Sequence, residues 1–426
     1  MWTQKRAVLV LLALAALLGG VLTEQPRLSA LAAPLISYLA LSFLFRRPLD
    51  LALRLERTVS PERALEGEEA DVVVAVTNLG SPRELLELQE ELPMGATVVG
   101  GATWWAGRLE TGEQAVLRYR LRFALRGRRE LGPLYARTRD LAGLTFSERA
   151  FPRGPRFDIL PLVEDLGHLR LRLAHPRRWL GEIPSRRLGI GGEFHSIRLY
   201  EPGDPERGIN WKASARTGEL QSNRYLLEQS GDAILVIDAR ERANVGHGRN
   251  SILEHQIRAA LSVAALILRE RNRVGLLVLG HNLTTLYPAF GRRQLYRMLY
   301  LLTGTLAGET WPIEHLTWAV EKFFPREMQV IALTPLLDDG IVSTLQELRG
   351  MGYPILVISP SGIELERALY ADDLAHKLAA RLMRLERENR ILRLSRMGLA
   401  VDWDPATPLR GTLVRAAPLL RGGRHR

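Results

Sequence analysis

The stretch GGEFHSIRLYEPGDPERGINWKASARTGELQSNRYLLEQSGDAILVID, residues 191–238, decides the fold. Its first half is dense in polar and aromatic residues: Arg198, Tyr200, Asp204, Arg207, Trp211, Ser214 and Arg216. Its second half ends in an apolar run, Ala233 to Ile237, that reads as a buried strand closed by Asp238. A structured polar segment therefore feeds a central sheet strand.

Downstream, periodicity alternates between helix and strand. Helices are predicted over 252–269, 292–302, 313–324, 342–349 and 372–397, and strands over 274–279, 330–333, 355–358 and 399–403. Strands separated by helices imply a mostly parallel sheet covered on both faces, hence an α/β domain over 191–415. The last long helix repeats Leu378, Leu382, Leu385 and Leu392 with Asn389 in the seam. That pattern is either a short coiled-coil face or packing against the sheet. A basic tail is assigned to 416–426.

Upstream, 161–190 is rich in Pro and Arg and reads as a linker. From 48 to 160 the pattern is period 2 with Gly, Pro and Asn punctuation, which predicts an antiparallel β-sandwich. Leu117, Tyr119, Leu121, Phe123 and Leu125 fall on one face of a strand and Arg118, Arg120 and Arg122 on the other. Such an arginine row is a solvated face rather than a nucleic-acid stripe. Of Trp104 and Trp105, only one can point inward.

Residues 1–47 hold two apolar runs, Ala7 to Leu22 and Leu28 to Phe45, split by ThrGluGlnProArg. The first gives ~24 Å of helix against a hydrocarbon core of ~30 Å, so it would borrow Trp2 and Thr3 at its edge. A transmembrane hairpin is expected. A cleaved signal peptide competes, but the second run follows at once and no small-x-small site stands near Thr23. Lys5, Arg6, Arg46 and Arg47 flank the outer ends, so both ends are expected in the cytoplasm, with the hairpin in the inner membrane.

The 426 residues carry a formal charge of +11, mostly from arginines spread among glutamates as on a solvated surface, and no nucleic-acid partner is expected. With no cysteine, disulfides, thiolate metal sites and cysteine nucleophiles are excluded. Signatures of common enzymes are missing: no phosphate loop, no HisGluXaaXaaHis, no GlyXaaSerXaaGly. GlyIleGlyGlyGluPhe, 189–194, lacks the strand before and helix after it that a dinucleotide loop needs. No cofactor and no catalytic residue is assigned.

The order of these elements resembles a von Willebrand factor A domain. The motif Arg198-x-Tyr200-x-x-Gly203-Asp204-x-x-Arg207-x-Ile209-x-Trp211-x-x-Ser214-Ala215-Arg216 is similar to the bacterial and archaeal family called domain of unknown function 58. Arg126 to Leu134 and Thr138 to Leu144 resemble its sandwich domain. Von Willebrand A folds often carry a metal-ion-dependent adhesion site built on AspXaaSerXaaSer, a later Thr and a later Asp. Here the first triplet is Asp238, Arg240, Arg242, the Thr is matched by Thr310, and the later Asp position holds Pro335, with Asp338 nearby. The resemblance thus implies a site without metal, in which the guanidiniums pair with Asp238 or Asp338. It also implies a MoxR-type AAA+ ATPase as partner, and a membrane-anchored, non-catalytic interaction or assembly factor. The alternatives are an enzyme of the cell envelope or lipid surface with a site near Asp238, and a nucleic-acid binder. Within the motif, Asp204, Arg207 and Arg216 are expected to brace a loop over a buried Trp211, the rival reading being a docking surface and an enzyme site coming third for want of a nucleophile–base pair.

Overall fold

The computed structural model describes residues 4–44, 51–139, 144–169, 171, 173, 184–189, 193–202, 204, 206–228, 231–309, 312–313, 315–326, 328–367, 373–396 and 399–421. Trp2, Thr3, Arg46, Arg47, Gly203, Thr310, the Arg207 side chain and the last five residues lie outside that description. The chain divides into two compact units, Met1–Leu160 and Pro161–Arg426.

The first unit opens with the helix Gln4–Leu22, then Pro26–Ala30 and Ala32–Leu44. Two stretches, Gln4–Leu22 and Pro26–Phe43, are long and apolar enough to cross a membrane. Their approach is close at Gly20, where an added Cβ would lie 2.0 Å from Ser29 Oγ and 2.6 Å from the Ser29 amide nitrogen, so glycine is required there.

Two four-stranded antiparallel sheets follow. One orders Leu53–Ser60, Glu69–Asn78, Gln114–Phe123 and Ala96–Gly101; the other orders Phe146–Phe151, Leu134–Arg139, Arg83–Glu90 and Trp104–Leu109. Inward residues of both, among them Val74, Leu121, Leu88 and Ala136, meet in one core. Alternation sets this up: along Gln114–Phe123 every second side chain is buried. Arg118, Arg120 and Arg122 take the exposed face, where Arg120 and Arg122 both pair with Glu69 on the neighbouring strand. Trp105 packs against the core while Trp104 is 64% exposed.

In the second unit six strands lie in the order Thr284–Ala289, Arg273–Leu279, Asp232–Asp238, Gln329–Leu333, Ile355–Pro360, Leu399–Trp403. The first is antiparallel and the other five are parallel. The central strand is buried along its whole length because both faces are covered. Leu235 and Ile237 join a core with the helix Ile252–Arg269, and Ile234 and Val236 join a second core with His315–Phe323 and Asp339–Gly350. The chain starts in the middle, grows outward to one edge, then returns to the other side of Asp232–Asp238. Strand order therefore reverses between Asp232–Asp238 and Gln329–Leu333, the place where open α/β sheets form a crevice at their carboxyl ends.

Four features correct the sequence expectations or were absent from them. First, 161–190 is more than a linker: Leu166, Leu171 and Leu173 are buried in the α/β core, and Pro184–Gly189 is a strand. The Pro and Arg content masked that leucine spacing. Second, Pro184–Gly189, Gln221–Glu228 and Glu193–Leu199 form a separate three-stranded antiparallel sheet, so the polar stretch is itself a small sheet with an insertion. Third, Thr284–Ala289 is an edge strand, which tolerates Pro288. Fourth, a helix spans Leu409–Arg421, through the start of the assigned tail, because Leu409 and Leu413 pack on the core one turn apart.

Candidate functional site

Two constellations stand out: the motif insertion and the carboxyl edge of the large sheet. The insertion leaves the strand Glu193–Leu199 at Arg198, whose Nη2 donates to Asp204 Oδ1 at 2.6 Å and whose Nη1 donates to the Leu199 carbonyl at 3.0 Å. Asp204 Oδ2 accepts the Glu201 amide at 3.2 Å, and the Tyr200 hydroxyl donates to the Asp204 carbonyl at 3.3 Å. One carboxylate therefore pins both ends of the turn. A short helix, Trp211–Thr217, then starts at Asn210, whose Oδ1 accepts the Ala213 amide at 3.0 Å. Ser214 Oγ donates to the Asn210 carbonyl and accepts the Gln221 amide, tying the helix to the returning strand. Gly218 ends it at φ 75°, a left-handed residue at which glycine carries no steric penalty.

That bracing leaves two motif residues facing water. Trp211 is 67% exposed, and Arg216 is exposed as well. The expectation of a buried Trp211 was wrong. It sits at the first position of a seven-residue helix that has no buried residue of its own. A helix this short, lying outside the sheet, has no core to insert the indole into. Arg198 rather than Arg216 is the partner of Asp204.

At the carboxyl edge, Asp238 ends the central strand and Arg240 folds back onto it. Arg240 Nε donates to Asp238 Oδ1 at 2.8 Å and Nη2 to Asp238 Oδ2 at 2.9 Å, a bidentate pair. The same Nη2 lies 3.0 Å from Asp338 Oδ2, and Arg240 is 1% exposed. Burial works against the guanidinium's charge, but the hydrogen bonds and charges of Asp238 and then Asp338 outweigh it and hold its pKa well above the ordinary arginine value. Asp338 also caps the helix Asp339–Gly350 by accepting the Ile341 amide at 2.9 Å.

Thr334 completes the group by donating from Oγ1 to Asp238 Oδ2 at 3.0 Å, across the point where strand order reverses. Sequence reasoning passed over it, although a Thr directly after the buried strand Gln329–Leu333 stands in the same place as Asp238 after its own strand. Thr310, the residue matched by resemblance, lies outside the described residues. Arg242 is different from Arg240: it is over half exposed and pairs with Glu309 at 3.2 Å. Arg387 was also missed. From the helix Leu374–Ser395 it donates to the carbonyls of Pro335 and Ser359 and pairs with Asp402, bridging the ends of three neighbouring strands.

Chemically, this edge is closed. Both oxygens of Asp238 are taken by a guanidinium and a hydroxyl, in the positions that a divalent cation or a general base would need.

Relatives are few and partial. Uncharacterized proteins of Mycobacterium bovis and Mycobacterium tuberculosis are 30% identical over 121 residues, 28% of this chain and 37% of their own length. This chain therefore spans well under half of the curated relatives it matches. Among solved structures, a FixG-related protein from Vibrio parahaemolyticus is 13% identical, with 26% of this chain and 97% of that one covered, at a TM-score of 0.19. Spo0M, a sporulation control protein from Bacillus subtilis, is 13% identical over 25% of this chain and 49% of that one, at 0.16. Both scores are too low to bear on fold. The profile of the family described as protein of unknown function DUF58 matches residues 196–358, the segment that holds both constellations.

Proposed function

We propose that this protein is a membrane-anchored, non-catalytic interaction or assembly factor whose partner is an AAA+ ATPase of the MoxR type. The observation that carries the interaction role is Trp211. Five hydrogen-bonding residues, Arg198, Asp204, Asn210, Ser214 and Tyr200, hold the turn and a short helix in one geometry and present an indole that is 67% exposed, with the exposed Arg216 in the last turn of the same helix. A rigidly held, exposed tryptophan has the character of an interface anchor, and arginine is the other residue type enriched at such surfaces. The edge at Asp238 supports the non-catalytic part, because Arg240 and Thr334 occupy the oxygens an acid–base site would use. This weighs against an enzyme with a site near Asp238.

The strand order of the large sheet supports a von Willebrand A-like domain whose metal site has been replaced by an ion pair. The need for an outside ATPase comes from the resemblance, together with the missing nucleotide loop.

Full-length protein purified from membranes of its host should bring down an AAA+ ATPase. Trp211→Ala should cut that recovery about tenfold, the effect of ~1.4 kcal/mol at an interface anchor. Its melting temperature should stay unchanged, since exposed substitutions stay within ~0.5 kcal/mol. Equal recovery with Trp211→Ala would remove this face from the interface, and no ATPase with the wild type would remove the partner.

Lys5 and Arg6 before the first apolar stretch favour a cytoplasmic amino terminus, and a hairpin returns the chain to the same side. A reporter fused to the carboxyl terminus should be active in the cytoplasm. Activity only outside it would overturn the orientation.

A further inference from the structure

The helix Leu374–Ser395 lies beyond the segment matched by the family, and it is built with two faces. Its buried residues are Ala380, Arg387 and Leu394, spaced seven apart. On the opposite side Leu378, Leu382, Leu385 and Leu392 are 52–60% exposed. In heptad terms the buried residues are f positions. Leu378, Leu385 and Leu392 are then d, and Ala375, Leu382 and Asn389 are a. The helix is thus docked by the face that a two-stranded coiled coil leaves outside, with its a/d seam turned to solvent.

We infer that this seam pairs with the same helix of a second copy of the chain, as a parallel two-stranded coiled coil. Charge placement names the occupant. In a parallel pair, a g residue faces the e residue five positions on in the partner helix. The g residues are Arg381 and Glu388; the matching e residues are Glu386 and Arg393. Both pairs, 381 with 386 and 388 with 393, bring opposite charges together, and the twofold axis makes four such contacts. Within their own chain Glu386 lies 3.6 Å from Arg390 and Arg393 reaches Asp339. Among the described residues Arg381 and Glu388 have no charged partner of their own.

The seam composition agrees. Asn at one a position with Leu at d favours two parallel strands in register, because the two amides hydrogen-bond only when they face each other. About three heptads is short for an isolated coiled coil, but here the helix is already folded against the domain, so association does not pay for helix formation.

The chain has no cysteine, so single-cysteine variants of the full-length protein give a direct test by oxidative crosslinking in detergent. Leu378→Cys, Leu385→Cys and Leu392→Cys should each form a disulfide-linked homodimer, and Arg384→Cys, at an exposed c position, should not. Arg381→Glu added to Leu385→Cys should remove most of the dimer band, and Glu386→Arg in the same chain should restore it. No crosslinking above Arg384→Cys would overturn the inference, and so would adducts with a different protein. A dimer that forms only when Leu378→Cys is mixed with Leu392→Cys would mean antiparallel helices and would overturn the parallel register. Failure of the Glu386→Arg rescue would overturn the charge pairing.

Discussion

Arg240→Ala is expected to cost the carboxyl-terminal domain about 3–5 kcal/mol, the usual effect of removing one partner from a buried ion pair. Asp238 is 4% exposed and would keep only Thr334 as a side-chain partner. Its carboxylate would then sit uncompensated between two buried strands. Asp338 would suffer less, since it is about one-third exposed and keeps its bond to the Ile341 amide. Arg242→Ala is the control: that residue is over half exposed, and its loss should cost under ~0.5 kcal/mol. This separates two arginines that look equivalent in sequence. Reversing Arg240 to Glu would put three carboxylates together and unfold the edge rather than test an interface. Asp238→Asn in the Arg240→Met background should recover most of the loss, because no fully buried charge is then left unpaired and Asp338 keeps solvent and the Ile341 amide. A melting temperature for Arg240→Ala no lower than that of Arg242→Ala would sink the account. The same pair explains why Mg²⁺ or Mn²⁺ should give no calorimetric heat above dilution with the wild type; micromolar binding abolished by Asp238→Ala would show that the guanidinium is displaced.

Local pattern made much of this legible. The helix Ile252–Arg269 follows Ser251, whose hydroxyl caps it, with Glu254 three residues on, and its bounds match those predicted. The strand Leu399–Trp403 was equally clear. Elements that escaped are those whose sequence signal is overruled by what they pack on. Leu166, Leu171 and Leu173 sit among prolines and arginines, and only the core they cover explains them. The leucines of 374–395 left a seam and a sheet contact both open; the structure turns them to solvent, which removes the sheet contact, and the helix docks through Arg387, because three strand ends offer it two carbonyls and a carboxylate. Trp211 failed for a related reason: an aromatic in a polar motif looks like core until the helix bearing it proves too short to reach one. At the sheet edge Asp238 and Arg240 were legible as a pair, but Thr334 required the strand order, since only the reversal between Asp232–Asp238 and Gln329–Leu333 sets the two strand ends side by side.

The two units should respond to pH in opposite directions between about pH 4.5 and 6.5. In the first unit Glu90 is 3% exposed, and among the described residues its one ion-pair partner is Arg57 at 3.4 Å and neither carboxylate oxygen has a hydrogen-bond partner. Burial pushes its pKa up to about 7, with Arg57 pulling the other way. The folded state thus holds a proton that the unfolded state releases near 4.5, so stability falls as pH rises between these values. The loss is about 3 kcal/mol at most, complete above pH 7 and absent below 4.5. In the second unit His255, with Nε2 buried and unpartnered, is held down to about 4, first by burial and then by Arg258 and Arg249, against a small opposing pull from Asp404. Here the unfolded state takes up a proton near 6.5 that the folded state refuses, so stability falls as pH drops from 6.5 towards 4. Hydrogen exchange on the full-length chain, resolved by segment, reads both slopes at once. Glu90→Gln should flatten the slope of the strands Arg83–Glu90 and Leu53–Ser60 and leave Ile252–Arg269 unchanged, while His255→Gln should do the reverse. If Glu90→Gln leaves the first unit's slope intact, or if that unit gains stability from pH 4.5 to 7, then Arg57 holds the carboxylate ionised and burial is the weaker force.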